Sequence, residues 1–282
     1  MSKAVCETCP RHCRLEDGEF GSCRARRAEG GRVVCANYGR ITSLALDPIE
    51  KKPLAFFHPG RPILSIGSYG CNMHCPFCQN DGISQHGGEA MAGEGARRTP
   101  AEMADVARLA KRGKAGNIGL AYTYNEPLVG WEFVRDCARE VRKCGLCNVI
   151  VSNGMAEQAV VEELAPLVDA ANIDLKGPSQ DFYDWTGGSF RTACRTIEIL
   201  HAAGCHVEVT TLVVPGRNDK DADIDAIASF LASISPDIPL HVTRFFPRFR
   251  LLDVPPTPVA TVRRLADVAR TRLRRVLAGN CG

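Results

Sequence analysis

The segment Gly70-Cys71-Asn72-Met73-His74-Cys75-Pro76-Phe77-Cys78-Gln79-Asn80 sets three cysteines at C-x3-C-x2-C within eleven residues. Thiolates are soft ligands, and four of them normally saturate a [4Fe-4S] cube, one per iron. Three would leave one iron for a ligand that is not protein. A structural zinc loop is the competing reading, but zinc wants a fourth ligand close by. His74 lies between two of the cysteines and cannot easily close the same tetrahedron. Three free thiols are the plainest alternative.

A second group, Cys6, Cys9, Cys13 and Cys23, offers four soft ligands within 18 residues. Gly18 and Gly21 permit tight turns and Pro10 stiffens the first knuckle. A segment so short cannot build its own core, so a metal would be its main staple. Zinc is the simpler occupant; a second iron–sulfur cluster, or unligated thiols and transient disulfides, are the other readings. Cys35 reads as a spare buried thiol. Cys137, Cys144, Cys147, Cys194 and Cys205 read as buried filler, and Cys144-x2-Cys147 straddles a helix end and a strand start without the usual redox context. Cys281 is too near the terminus to assign.

Composition bounds what these thiols serve. The chain has 282 residues, 45% hydrophobic and 24% charged, enough for one large α/β domain with a small appendage. A net charge of +3 is too small to argue for nucleic acid. No apolar run approaches the roughly 20 residues of a membrane span, and the opening MSKAVCETCP lacks a signal-peptide core. A cytoplasmic protein is expected, where thiols stay reduced and 14 cysteines need an explanation other than disulfides.

From about residue 60 the pattern alternates short β-rich runs with longer amphipathic ones. Strands are expected at Ile63–Ser68, Ile118–Tyr124, Asn148–Ser152, Ala171–Leu175, Val207–Val214 and Leu240–Phe246, and helices near 99–112, 126–144, 156–166, 189–203, 220–234 and 258–277. Thr99, Pro100 and Glu102 form a helix start with a capping box. Six βα units imply a parallel sheet with helices outside. The expected fold is α/β, a partial (β/α)6 TIM-like barrel over residues 61–282, with a small N-terminal cysteine-rich module and lead-in over residues 1–60. A flat doubly wound sheet is the competing topology. In either, ligands belong at the carboxyl ends of the strands, where the polar loops here gather. Gly87–Gly95 reads as a mobile connection, and Asp47-Pro48-Ile49-Glu50-Lys51-Lys52-Pro53-Leu54 as a turn into the first strand, a lid or a partner surface.

The cysteine loop resembles the signature of radical S-adenosylmethionine (radical SAM) enzymes, C-x3-C-x-aromatic-C after the first barrel strand, matched by Cys71, Cys75, Phe77 and Cys78. The resemblance implies a [4Fe-4S] cluster on the three cysteines and S-adenosyl-L-methionine (SAM) chelating the open iron. Reductive cleavage of SAM would then give a 5′-deoxyadenosyl radical that abstracts hydrogen from substrate, the cofactor carrying the chemistry and the protein the positioning. The resemblance further implies cofactor contacts for Phe77, for Asn125 and Glu126 where many members have Gly-Glu-Pro, for Ser152 and Asn153, for Asp174 and Lys176, and for His241 near the adenine. The plain readings are a helix start at Asn125-Glu126-Pro127, a surface salt bridge for Lys176 and a core histidine for His241. The turn Val214–Asp219 is a further candidate, with Asp219 a helix cap.

The N-terminal cysteines, DPIEKKPL, Cys78-Gln79-Asn80 and Tyr124-Asn125-Glu126-Pro127 together resemble one subgroup, the AmmeMemoRadiSam-system radical SAM proteins, often labelled pyruvate formate-lyase-activating-enzyme-like. That resemblance implies an electron donor of flavodoxin or ferredoxin type and, as associates, AMMECR1-family and Memo-family proteins. Activases of glycyl-radical enzymes often carry an acidic residue just before the Thr/Ser-Asn-Gly that ends strand three; Val151 stands there here. Hydrogen abstraction from another protein or a small molecule is therefore preferred to glycyl-radical activation. A non-catalytic iron–sulfur electron carrier or scaffold is the rival from another class.

Overall fold

In the computed structural model, which describes residues 3–87, 91, 95–112 and 116–282, the apolar runs assemble into one eight-stranded sheet. Its strands are β1 (Ser43–Pro48), β2 (Pro62–Gly67), β3 (Gly119–Tyr122), β4 (Cys147–Ser152), β5 (Ala170–Asp174), β6 (His206–Val213), β7 (Leu240–Arg244) and β8 (Val276–Gly279), adjacent in that order. β1 runs antiparallel to β2, and every later pair is parallel. Parallel neighbours need long crossovers. These are helical: α1 (Pro100–Arg112), α2 (Trp131–Lys143), α3 (Gln158–Leu164), α4 (Phe190–Ala202), α5 (Asp221–Ile234) and α6 (Val259–Arg270). The result is the partial (β/α)6 TIM-like barrel expected from the sequence, extended by β1 and β8.

Local chemistry explains most boundaries. At the start of α1 the Glu102 carboxylate accepts from the Thr99 amide (2.7 Å) and the Thr99 hydroxyl accepts from the Glu102 amide (3.2 Å). The helix expected over 126–144 instead opens as a 3-10 turn, Pro127–Gly130, and α2 follows. Gly130 presses on the N-terminal region, where an added Cβ would meet Asn37 Oδ1 at 2.8 Å. The helix expected over 258–277 ends at Arg270; Val276 and Leu277 belong to β8, paired with Leu240 and His241 of β7. Leu273 is buried between the two elements (3% exposed). Helix α5 begins at Asp221 after Lys220, whose amide Asp223 accepts, while Asp219 braces the preceding turn by accepting from Gly216. Asp219 is therefore not the cap.

The lead-in segment fills the amino-terminal end of the barrel. Ile49 and Leu54 pack on Ile63, Ala121, Val149 and Ala170, all fully buried. Asn172 Nδ2 donates to the Pro53 carbonyl (2.8 Å), and the amides of Ala55 and Phe56 donate to Glu208 (3.0 and 2.8 Å). Lys52, buried to 2% exposure, lies 2.9 Å from Asp47 Oδ2 and 4.5 Å from the Tyr124 ring centre. DPIEKKPL thus carries the chain from an edge strand into the barrel floor.

The N-terminal residues form two small antiparallel pairs, Ala4–Val5 with Arg14–Leu15 and Arg26–Glu29 with Arg32–Cys35. Their own apolar core is only Ala4, Leu15 and Ala28 with Cys13 and Val33 against it. Attachment to the barrel is both apolar and polar: Cys23 and Ala25 pack with Tyr69 and Val129, and Arg26 donates to the Val129 carbonyl and twice to the Glu132 carboxylate. Cys137, Cys194 and Cys205 are buried and Cys144 and Cys147 half-buried. Most of the Gly87–Gly95 connection lies outside the described residues. Among the described residues, no helix is long and apolar enough to cross a membrane.

Candidate active site

The strand β2 ends at Gly67, and the chain turns at Gly70 into the three-cysteine loop. Gly70 has φ +87°, and a Cβ there would lie 2.5 Å from the Cys23 carbonyl oxygen and 2.8 Å from Ala25 Cβ. Only glycine allows this close approach. Behind the turn, the Cys71 amide donates to that same Cys23 carbonyl (3.2 Å). The loop is therefore clasped from behind by the N-terminal cysteine segment.

Its three sulfurs line one cleft of about 190 Å³ at the carboxyl ends of the strands. The amide of Met73 donates to Cys71 Sγ (3.4 Å), and Asn153 Nδ2 approaches the same sulfur at 3.5 Å. The Asn80 amide and the Ser84 side chain donate to Cys78. Burial pushes the Cys75 thiol up to about 11, and burial, with Glu126 and Cys75 alongside, raises Cys71 well above the ordinary range. Buried thiols of this kind are poor free thiolates and good soft ligands once a metal offsets their charge. Phe77 lines the cleft while packing on Trp185, ring centres 5.4 Å apart.

His74 is turned elsewhere, its Nε2 3.2 Å from Ser22 Oγ and its Nδ1 3.4 Å from Gln85 Oε1. Among the described residues, the cleft presents no fourth cysteine and no histidine. Nor, among them, do any three His, Cys, Asp or Glu side chains group around a single-ion position. In a polynuclear cluster each thiolate meets its own iron, whereas a structural zinc would want a fourth protein ligand close by.

The loops after the later strands supply polar walls. Glu126, 3% exposed, accepts from the Leu128 amide (2.9 Å), the Ser152 hydroxyl (2.7 Å) and the Asn153 amide (2.8 Å). Burial raises its carboxyl to about 7 against the lowering effect of those bonds. Asn125 Oδ1 accepts from the Ser68 amide, and its Nδ2 donates to the carbonyls of Tyr69 and Gly70. Asn125 thus holds the root of the cysteine loop. Asn153 Nδ2 donates to Asn72 Oδ1 (3.1 Å), tying the end of β4 to the same loop. Across the cleft, Lys176 Nζ lies 2.6 Å from Asp174 Oδ2. Burial by itself would lower the ammonium's pKa, but Asp174 and the Cys75 sulfur outweigh it and the net shift is upward.

Seven of the eight residues expected to contact cofactor, Phe77, Asn125, Glu126, Ser152, Asn153, Asp174 and Lys176, line this cleft with the three cysteines. His241 does not; its Nε2 lies 2.7 Å from Glu208 Oε2, next to the barrel floor. It sits one residue after the start of β7. Sequence reasoning missed Thr210 and Thr243, which project into the cleft from β6 and β7. Thr210 pairs in register with Asp174, and its hydroxyl has no hydrogen-bond partner among the described residues. In the candidate turn Val214–Asp219, Asn218 is fully buried; it donates to the carbonyls of Lys176 and Leu212 and accepts from the Val214 amide, fastening two strand ends together.

Known proteins resemble this chain in sequence and in fold. The sequence profile of the Radical SAM superfamily matches residues 65–231. An uncharacterized protein of Methanocaldococcus jannaschii is 37% identical over 281 residues, covering 99% of this chain and 82% of its own length. The pyruvate formate-lyase 1-activating enzyme of Escherichia coli is 27% identical over 165 residues, 57% of this chain and 65% of that enzyme. This chain therefore matches less than two thirds of that enzyme's length. Among solved structures, a radical SAM methyltransferase from Sphaerobacter thermophilus superposes with a TM-score of 0.59 at 18% identity, covering 80% of this chain and 68% of that one. That likeness concerns the fold. With the matched profile spanning the cysteine loop and more than half of the chain, this protein belongs to the Radical SAM superfamily.

Proposed function

We propose that this chain holds a [4Fe-4S] cluster on Cys71, Cys75 and Cys78, binds SAM in the adjoining cleft and abstracts hydrogen from a protein or small-molecule substrate. The observation that carries the reading is three thiols on one cleft wall, Cys75 buried and Cys71 and Cys78 half-buried, with no further cysteine or histidine among the described residues that line it. When bound, the cluster and SAM supply reductive carbon–sulfur cleavage and a carbon-centred radical. The chain's own residues bind and orient. Lys176 offers a cation to a carboxylate, and Asp174 keeps it pointed along the wall. Glu126, its carboxyl raised to about 7 by burial, offers an acceptor to an amine and anchors Ser152 and Asn153. Asn125 and Asn153 spend their hydrogen bonds on the loop, so their part is to hold the thiols in place.

A reductant of flavodoxin or ferredoxin type, and association with AMMECR1-family and Memo-family proteins, follow from the subgroup resemblance and belong to this proposal. So does a metal, zinc or iron–sulfur, on Cys6, Cys9, Cys13 and Cys23. Glycyl-radical activation, suggested by the name of the Escherichia coli relative, is disfavoured by Val151, an apolar residue lining the cleft where activases often carry an acid.

The test is anaerobic reconstitution with iron, sulfide, dithionite and SAM. Wild-type protein should release 5′-deoxyadenosine, and Cys75→Ala should release none. A reduced cluster whose EPR spectrum ignores SAM, with no 5′-deoxyadenosine formed, would instead support an electron carrier or scaffold.

A further inference from the structure

Strand β1 is one edge of the sheet, and among the described residues no strand pairs with its outer side. Leu44 and Leu46 sit directly opposite Ile66 and Leu64 of β2, so all four point to the same face. Ile66 and Leu64 are buried in the core that also holds Met103, Ala104 and Ala107 of α1. Leu44 and Leu46, one strand further out, are 54% and 44% exposed. The helix-covered face therefore runs on past its cover. The opposite edge differs, since every residue of β8 is half-buried.

An apolar edge is a template for another strand, and proteins that stay single blunt it with charge, proline or a bulge. Here the blunting is slight. Asp47, the charged residue of β1, already holds Lys52 and the Tyr124 hydroxyl (2.9 and 2.7 Å), so a neighbouring strand would leave no charge unpaired. Pro48 comes only at the strand's end. The Ile49 amide donates to the Arg61 carbonyl (2.9 Å), in the register that sets Ser43 against Gly67. Bonds to one neighbour recur at every second residue of an antiparallel ladder. Ser43, Ala45 and Asp47 therefore bond to β2, and Leu44 and Leu46 turn their N–H and C=O groups outward.

We propose that β1 pairs with β1 of a second copy of this chain, antiparallel about a two-fold axis at Ala45. The run Ser43-Leu44-Ala45-Leu46-Asp47 reads polar, Leu, Ala, Leu, polar in both directions. An isologous contact requires that self-complementarity. In this register Leu44 meets Leu46 of the second copy, and each such pair exchanges both backbone bonds through the groups that point outward. Ser43 meets Asp47 of the second copy, so a hydroxyl and not a like charge faces the carboxylate. The leucines of the two copies then cover one another on the face that α1 leaves open. A strand of another protein would have to repeat the same pattern to fill both leucine positions.

The test is sedimentation velocity on full-length protein reconstituted anaerobically. Wild type should sediment as a dimer, and Leu46→Lys as a monomer with unchanged iron content and circular dichroism. Its dissociation constant should rise about a hundredfold or more, because the two-fold axis places the change twice in the seam. Monomeric wild-type protein overturns the proposal, whether or not its edge takes up a strand of another protein. So does a dimer that Leu46→Lys leaves intact. Should Leu46→Lys fail to fold, Ala45→Cys decides. Residues at the axis form a non-hydrogen-bonded pair with Cα atoms about 4.5 Å apart, within the roughly 4.4–6.8 Å that a disulfide spans. A mild thiol oxidant should link two chains of this variant through position 45, identified by peptide mapping beside wild type. A cross-link there supports the pairing, and its absence overturns it. The inference does not depend on SAM cleavage, so a dimer that releases no 5′-deoxyadenosine would defeat the proposed function and leave this one standing.

Discussion

Lys176 Nζ sits 2.6 Å from Asp174 Oδ2, across the bend that ends β5 and within reach of the Cys75 sulfur's charge. Lys176→Met keeps the length of the stem and removes the cation. Both partners are partly exposed (17% and 30%), so the folding penalty should stay within about 1 kcal/mol. SAM affinity should fall at least tenfold, about 1.4 kcal/mol, because Asp174 is left facing the cleft unpaired. Anaerobic equilibrium dialysis beside urea denaturation separates the two effects. Equal SAM affinity in both proteins would remove Lys176 from the binding site.

Glu208 gives the clearest pH dependence. It accepts from His241, His206 and the amides of Ala55 and Phe56, and these bonds outweigh burial to lower its carboxyl from 4.5 to about 2. A depressed folded value means the stabilisation is complete above pH 4.5 and is lost as pH falls toward 2. It should amount to about 3 kcal/mol at neutral pH, at 1.36 kcal/mol per unit. Glu208→Gln should be less stable at pH 7 and show a flatter stability curve between pH 4.5 and 2. Parallel curves for the two proteins would mean that another carboxylate governs acid unfolding.

Gly70→Ala places a methyl against the Cys23 carbonyl at a φ of +87°. Left-handed strain and the collision together should destabilise by about 2–4 kcal/mol. Iron retained by the Cys71 loop should drop with it. Iron content and urea midpoint, measured on the same anaerobic preparation, check both, and a variant with wild-type values for each would show that the clasp is loose.

Thr210→Val replaces a buried hydroxyl that has no partner among the described residues. Stability should be unchanged or higher by about 1 kcal/mol, since an unsatisfied polar group is exchanged for an apolar one of the same shape. SAM affinity should fall about five- to tenfold if that hydroxyl meets the ligand. A variant both less stable and equal in affinity would place the hydroxyl's partner inside the protein.

Much of the cleft could be read from the chain because its determinants are local. The spacing of Cys71, Cys75 and Cys78 and the strand ends at Ser152-Asn153 and Asp174–Lys176 need no knowledge of distant partners. His241 shows the limit. Its carboxylate, Glu208, lies 33 residues earlier on the neighbouring strand, and only register shows that the pair faces the barrel floor. Thr210 was hidden because β6 is buried on both faces, which erases the alternation that marks an inward residue. β1 escaped notice for the opposite reason: Leu44 and Leu46 are exposed, so its apolar residues point away from any core. The destination of DPIEKKPL is tertiary throughout, resting on Glu208, Asn172 and Tyr124, none of them near it in sequence.

Filling the barrel from beneath with Ile49, Leu54 and their neighbours separates the depth of the reaction chamber from its chemistry. None of those six side chains lines the cleft, so a change in the stopper is read on folding before it is read on the thiols.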